Sequence, residues 1–325
     1  MSLFFTGTHV LRVFIDGQAG TTGLEIASRL SGRCDIELLC IADADRKDSE
    51  ARRTLLNEAD LVILCLPDKA AFEAIALLDN PRTKVLDAST AHRVAPNWIY
   101  GLPELDAHQR QRIQTSPRVS NPGCYATGFI LATKPLIAAG VLAPDARLVS
   151  FAVSGYSGGG RAMIDAHRCA DRTPSLATPR GYSLNQNHKH LPEMTHFAGL
   201  TNPPLFTPVV GNHYKGMVVY LPLNPDQLAR QANSADIHAL LAERYQAEPC
   251  IDVAPLGAID ALDDGFLSPI GANDTNRLDL MVFGDADQTL IAARFDNLGK
   301  GASGAAVQNL NLMLGMPELT GLVLK

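Results

Sequence analysis

The chain has 325 residues, 46% of them hydrophobic and 19% charged, with a net charge of −6. That length exceeds what one core usually supports, so two domains are expected. No basic block offsets the acidic balance, which argues against nucleic-acid binding, and no stretch has the length of a membrane span.

The cysteines at 34, 40, 65, 124, 169 and 250 have no CxxC spacing. Cys34, Cys40 and Cys65 lie in or beside apolar runs and are read as buried, reduced thiols of a cytoplasmic protein. The opening Met1-Ser2-Leu3-Phe4-Phe5 lacks the basic region and long apolar core of a secretory leader.

Leu11 to Ile15 reads as a short buried strand. The turn Asp16-Gly17-Gln18-Ala19-Gly20-Thr21-Thr22-Gly23 follows, then apolar residues at helical spacing from Leu24 to Leu30. Strand, glycine turn and helix form the setting of a dinucleotide fingerprint, although the spacing is GxxGxxG rather than GxGxxG. Its glycines let backbone approach a pyrophosphate, and the helix start offers free N–H donors. A second strand, Ile36 to Ile41, leads to Asp43 and then Arg46-Lys47. The acid suits ribose hydroxyls and the cations a 2′-phosphate, so charge alone leaves NAD and NADP both open. Strands at Asp60–Leu66 and Lys84–Ser89, with an Ala-rich helix at Lys69–Leu78 between them, complete an alternating pattern. That pattern predicts a Rossmann-type, doubly wound parallel α/β domain. Tyr100-Gly101-Leu102-Pro103-Glu104-Leu105 reads as a loop packed on this sheet.

Ser120-Asn121-Pro122-Gly123 forbids a helix or a central strand, and a mostly apolar helix starts at Cys124. A cysteine at a helix N-terminus has free N–H groups and the helix dipole to stabilise a thiolate, which makes Cys124 a candidate nucleophile. Arg147–Ser154 is a strand, and Gly155-Tyr156-Ser157-Gly158-Gly159-Gly160-Arg161 is expected to be a flexible loop whose Arg161 suits an anion. Thr173 to Asn187 is polar, an irregular excursion. His188-Lys189-His190-Leu191-Pro192-Glu193 carries two histidines, but no partner spacing completes a zinc site, so no metal is expected. Further strands at Phe206–Val210, Lys215–Pro222, near Ile251, at Leu278–Phe283 and at Thr289–Phe295, with a helix at Ala235–Tyr245, predict a second, α+β domain. Asp296 to Asn309 is rich in small residues and becomes helical through about Leu314. It is expected to return to the dinucleotide domain.

Taken together, Gly17-x-x-Gly20-x-x-Gly23, Tyr100-Gly101-Leu102-Pro103-Glu104, Ser120-Asn121-Pro122-Gly123-Cys124-Tyr125, Ser154-Gly155-Tyr156-Ser157-Gly158-Gly159-Gly160-Arg161, His188-x-His190-x-Pro192-Glu193 and Asp296-Asn297-Leu298-Gly299-Lys300-Gly301-Ala302-x-Gly304 resemble the N-acetyl-γ-glutamyl-phosphate reductase family. That family is a branch of the semialdehyde dehydrogenases, and the chain looks like its compact subgroup. The resemblance implies reduction of an acyl phosphate to a semialdehyde and phosphate with NADP(H), in arginine biosynthesis. It implies Cys124 as nucleophile, His190 as acid/base and His188 in support. Gly17, Gly20, Thr21, Thr22, Gly23, Arg46, Gly304 and Asn309 are expected at the cofactor, and Arg161, Asn121 and Glu193 at the substrate. The expected domains are 1–123 with 297–325 for the dinucleotide, and 124–296 for catalysis and dimerisation. A homo-oligomer, dimer or tetramer, is expected. The alternatives are a reductase of an aspartyl or aminoadipyl phosphate, a non-catalytic Rossmann module with a structural Cys124, and a thiol hydrolase, which would leave a dinucleotide domain idle.

Overall fold

The computed structural model describes residues 10–285 and 287–325, so the Met1–Phe5 stretch lies outside the described residues. The chain begins β1 (Leu11–Asp16), α1 (Thr21–Leu30), β2 (Ile36–Leu39), α2 (Ser49–Glu58), β3 (Leu61–Leu64), α3 (Asp68–Ala76), β4 (Lys84–Asp87), β5 (Ile99–Tyr100), α4 (Gln109–Thr115) and β6 (Arg118–Ser120). These strands form one parallel sheet in the order β2-β1-β3-β4-β6-β5. Helices cover both faces, which is why strands such as Leu-Val-Ile-Leu at β3 are apolar at every position. Leu56 of α2 and Ala71 and Ala74 of α3 pack on Phe14, Val62 and Val85, while Ile26 of α1 and Ile113 of α4 pack on the opposite face. Winding reverses between β1 and β3, and the carboxyl ends of strands at such a reversal open a crevice.

The second half builds α5 (Cys124–Ala138), β7 (Val149–Gly155), α6 (Gly160–Arg168), β8 (Arg180–Gly181), α7 (Leu191–Ala198), β9 (Leu205–Gly211), β10 (Met217–Leu223), α8 (Ser234–Tyr245), β11 (Ile251–Val253), β12 (Leu278–Gly284) and β13 (Thr289–Phe295). Its mixed sheet runs β11-β12-β13-β10-β7-β9-β8. One face packs against Phe129, Ile130 and Leu136 of α5, with Met194 of α7 and Leu241 of α8 in the same core. On the other face Val149, Phe151 and Leu205 are exposed.

After β13 a wide helical turn (Gly299–Ser303) leads into α9 (Gly304–Met313), buried at every residue. Its Ala306, Val307, Leu310 and Met313 join Val13, Ile26, Leu86 and Val119 in the core of the first sheet. A helix covered on every side has no polar stripe, which accounts for the lack of amphipathic pattern in its sequence.

Three readings change. Gly155–Arg161 is not a flexible loop: Tyr156–Gly159 makes a 3₁₀ turn and Gly160 starts α6, with only Gly160 using a left-handed backbone (φ +73°). Cys34 and Cys40 are exposed rather than buried, because β2 spans only Ile36–Leu39 and both cysteines fall just outside it. Helices α2, α4 and α7 went unread in the sequence, although Asp48 caps α2 by accepting from the N–H groups of Glu50 and Ala51.

Candidate active site

Gly123 is extended (φ −77°, ψ 145°) and Cys124 opens α5, as the Pro-Gly turn dictates. The Gly123 N–H donates to Glu193 Oε2 at 3.0 Å, and the other carboxylate oxygen accepts from Arg93 Nη1 at 2.6 Å. Tyr100 donates its hydroxyl to Glu193 Oε2 at 2.6 Å, and Arg93 Nε donates to the Asn121 carbonyl at 3.1 Å. A Cβ at Gly123 would lie 2.5 Å from both Arg93 Nη1 and His190 Nε2, so only glycine admits this packing. The loop that carries Cys124 is thus clamped by a buried ion pair, and His190 is set against it.

His188 accepts from the His190 backbone N–H at its Nδ1 (3.1 Å), which leaves the ring proton on Nε2, 3.3 Å from the Tyr182 hydroxyl. Tyr182 in turn donates to Tyr125 at 3.2 Å. Burial first, then the Arg93 charge, holds His190 well below the usual histidine range. Burial, then Lys189 and Arg93, takes His188 down to about 4. Both rings are therefore neutral at pH 7. Burial pushes the Cys124 thiol up to about 11, against the lowering pull of Arg93 and of the Tyr125 N–H. This corrects the expectation that the helix start alone yields a thiolate: desolvation is the larger effect.

Cys124, His188, His190 and Tyr182 line a cavity of about 530 Å³. A second, of about 240 Å³, is lined by Gly20, Thr21, Thr22 and Gly23 and by Ser89 and Thr90 beyond β4. The two share Thr21, Thr22, Ala88, Arg93, Gly160 and Lys189, and so form one cleft. The residues present fit a dinucleotide. Gly17 turns left-handed (φ +88°), Gly23 would carry a Cβ 2.7 Å from Gln18 Cα, and Gly20 gives α1 no side-chain cap, so the first N–H groups of the helix remain free for a pyrophosphate. Among the described residues no group of His, Cys, Asp and Glu is placed to hold a metal.

Not every expected residue reaches the cleft. Arg161 projects from α6 and pairs with Asp165 one turn on, at 2.9 Å, because the segment is helical. Glu193 is buried under the Gly123 loop and spends both oxygens holding it. Gly304 and Asn309 are buried beneath the cleft, where Asn309 donates to the Gly101 carbonyl (2.7 Å) and to Asn121 Oδ1 (3.1 Å). Asn121 lines the larger cavity but uses its amide N–H on the Ala302 carbonyl. Arg46 stands outside both cavities, paired with Asp43 at 2.5 Å. Conversely, Arg93 and Lys189 line both cavities and were missed. Their signals were an arginine just past a parallel strand's carboxyl end and a lysine between two histidines.

A family model described as "Semialdehyde dehydrogenase, NAD binding domain" matches residues 12–113, and one described as "Semialdehyde dehydrogenase, dimerisation domain" matches residues 124–297. Solved structures agree in fold. Aspartate semialdehyde dehydrogenase from Francisella tularensis superposes with a TM-score of 0.71 at 14% identity, covering 94% of this chain and 100% of that one. The Vibrio cholerae aspartate semialdehyde dehydrogenase II gives 0.70 at 15%, covering 94% and 98%. Fold and cleft are those of a semialdehyde dehydrogenase-type oxidoreductase. N-acetyl-gamma-glutamyl-phosphate reductase 2 of Nostoc sp. is 49% identical over 318 residues, 96% of this chain and 99% of its own length. The protein of that name from Pseudomonas putida is 47% identical over 317 residues, 96% and 100%. The chain belongs to the N-acetyl-gamma-glutamyl-phosphate reductase family.

Proposed function

We propose that this chain reduces N-acetyl-γ-glutamyl phosphate to N-acetylglutamate semialdehyde with release of phosphate, a step of arginine biosynthesis, using NADP(H) and a thioester on Cys124. The observation that carries the reading is a buried thiol and a neutral imidazole on the wall of one cavity that runs into the glycine turn of α1. With its pKa near 11, Cys124 is a thiol at neutral pH and needs a base; His190, kept neutral by burial, takes its proton. The sulfur attacks the acyl carbon, the carbon–oxygen bond to phosphate breaks, and phosphate leaves with the bonding pair. Arg93 and Lys189 face the same space and hold the departing charge. A bound nicotinamide supplies the hydride that takes the acyl group to the aldehyde. The sulfur recovers its proton from His190 as the aldehyde leaves, while His188, fixed by the backbone and Tyr182, keeps the pair in register.

The preference for NADP rests on Arg46 and Lys47 beyond β2, where a 2′-phosphate would lie. The chain divides into 1–123 with 297–325 and 124–296. It forms a homo-oligomer, dimer or tetramer, through the exposed apolar face of the mixed sheet, where Val149, Phe151 and Leu205 lie. Six unpaired cysteines suit the cytoplasm. The test is phosphate-dependent reduction of NADP by the purified protein with N-acetylglutamate semialdehyde. Turnover without phosphate, or none at all, would refute the reading.

A further inference from the structure

Two of the sequence motifs meet in the interior. Lys300, from Asp296–Gly304, and Glu104, from Tyr100–Leu105, are both fully buried and lie 196 residues apart. The ammonium donates to Glu104 Oε1 at 2.8 Å, to Glu104 Oε2 at 2.9 Å and to Gln308 Oε1 at 2.7 Å. Glu104 is itself held from both halves of the chain. Gln308 Nε2 of α9 donates to its Oε1 at 2.9 Å, and Arg244 Nη2 of α8 donates to its carbonyl at 2.6 Å. A buried ion pair adds little net stability, because desolvation offsets the attraction, but an ammonium with three fixed acceptors has one place to sit.

What Lys300 fixes is the wide turn Gly299–Ser303, in which the Gly301 and Ser303 N–H groups reach back to the Asp296 and Leu298 carbonyls at 3.0 and 2.8 Å. Helical turns of this width occur frequently at functional sites. Gly301 and Ala302 line the larger cavity, and a Cβ at Gly301 would lie 2.9 Å from Cys124 Cβ. The Ala302 carbonyl accepts from Asn121 Nδ2 at 3.0 Å, and on the far side Arg29 Nε of α1 donates to Ser303 Oγ at 3.0 Å. The turn thus joins the helix that opens with Cys124 to the helix whose first N–H groups face the cleft.

We propose that Lys300, anchored on Glu104, is a positioning residue: it presses the Gly299–Ser303 turn onto Cys124 and so sets the spacing between Cys124 and the start of α1. Lys300 lines neither cavity and acts through Gly301. Its role rests on the reductase reading, in which hydride must reach an acyl group on Cys124 within contact distance.

The experiment combines Lys300→Met with Glu104→Gln, which removes both buried charges while the new amide can still donate to Gln308. The urea midpoint should stay near that of wild type. In phosphate-dependent NADP reduction with N-acetylglutamate semialdehyde, kcat should fall by about thirtyfold to a hundredfold, with KM and the NADP dissociation constant changed by less than about threefold. Cys124 of the cofactor-free variant should react with iodoacetamide about threefold faster or more, read by peptide mass spectrometry, because the turn no longer packs on it and hydration favours the thiolate. Wild-type kcat, or wild-type alkylation of Cys124, in a double variant of wild-type stability overturns the assignment. A loss of NADP affinity as large as the loss of kcat does so too. Should the double variant prove less stable, Glu104→Asp, which keeps both charges and shortens one arm, carries the test with the same expectations. Wild type without turnover overturns the reductase reading instead, and the alkylation rates alone then decide whether Lys300 acts on Cys124.

Discussion

On the Cys124 side of the cleft the charges are buried and matched: Arg93 with Glu193, and Lys300 with Glu104 and Gln308 at 2.7–2.9 Å. On the side formed by α6 and β8 they are mostly exposed, and Arg168, Arg172 and Arg180 find no carboxylate among the described residues. The first arrangement fixes geometry, because a buried pair tolerates few alternatives. The second leaves charge available for something that arrives. The two sides are thus differently built, and substitutions should separate accordingly.

The largest effect expected is at the proposed nucleophile. Cys124→Ser should lower kcat by roughly 10³-fold or more, since a hydroxyl is a far poorer nucleophile, with cofactor affinity nearly unchanged. Stopped-flow turnover beside cofactor titration measures both, and a variant keeping a tenth of the activity would dissolve the contrast at its centre. The other five cysteines should tolerate serine with a cost in stability alone.

The next test compares the walls directly. Lys300→Met leaves Glu104 charged and buried without its partner and should cost about 3–5 kcal/mol of stability. Arg172→Ala, on the exposed wall, should stay within about 0.5 kcal/mol. Urea denaturation midpoints decide it, and similar losses at both positions would mean that the walls do not differ in kind.

Arg46→Ala should weaken NADP binding about tenfold and NAD binding little, as loss of one charge-assisted contact predicts. Tighter NAD binding by the wild type would assign the pocket to Asp43 instead.

The smallest expected effect is in pH dependence. His188 is depressed from 6.5 to about 4 in the folded protein, so the unfolded chain takes up a proton first as pH falls. Its contribution is present above pH 6.5 and is lost as pH falls through that window, with His190 acting in the same direction. Melting temperature should drop between pH 6.5 and 4, and less steeply in His188→Gln; parallel slopes would remove His188 from the account.

The two walls also differed in how far they could be read from sequence. Strands such as β3, covered on both faces, announce themselves as unbroken apolar runs, and Pro122-Gly123 marks the start of α5. The wall of α6 was misread because five glycine and serine residues stand among the six before Arg161, while the helix-forming run behind it went unweighed. Arg93 was invisible for another reason: its partner Glu193 lies 100 residues away, and only the meeting of the β4 end with α7 gives either a purpose. The thiol pKa erred in the same way, since a helix terminus is a local feature but burial is set by the whole fold.

The position of α9 has a consequence for how the protein is made. Val13, Ile26, Leu86 and Val119 wait for Ala306, Val307 and Leu310, which emerge from the ribosome only after the entire second sheet. At about 5–20 residues per second, the nascent first sheet spends roughly ten seconds or more with an apolar trough the length of α9 open to solvent. Chaperone occupancy should fall on that segment during elongation, and a peptide of residues 297–325 added in trans should rescue fragment 1–123 from aggregation.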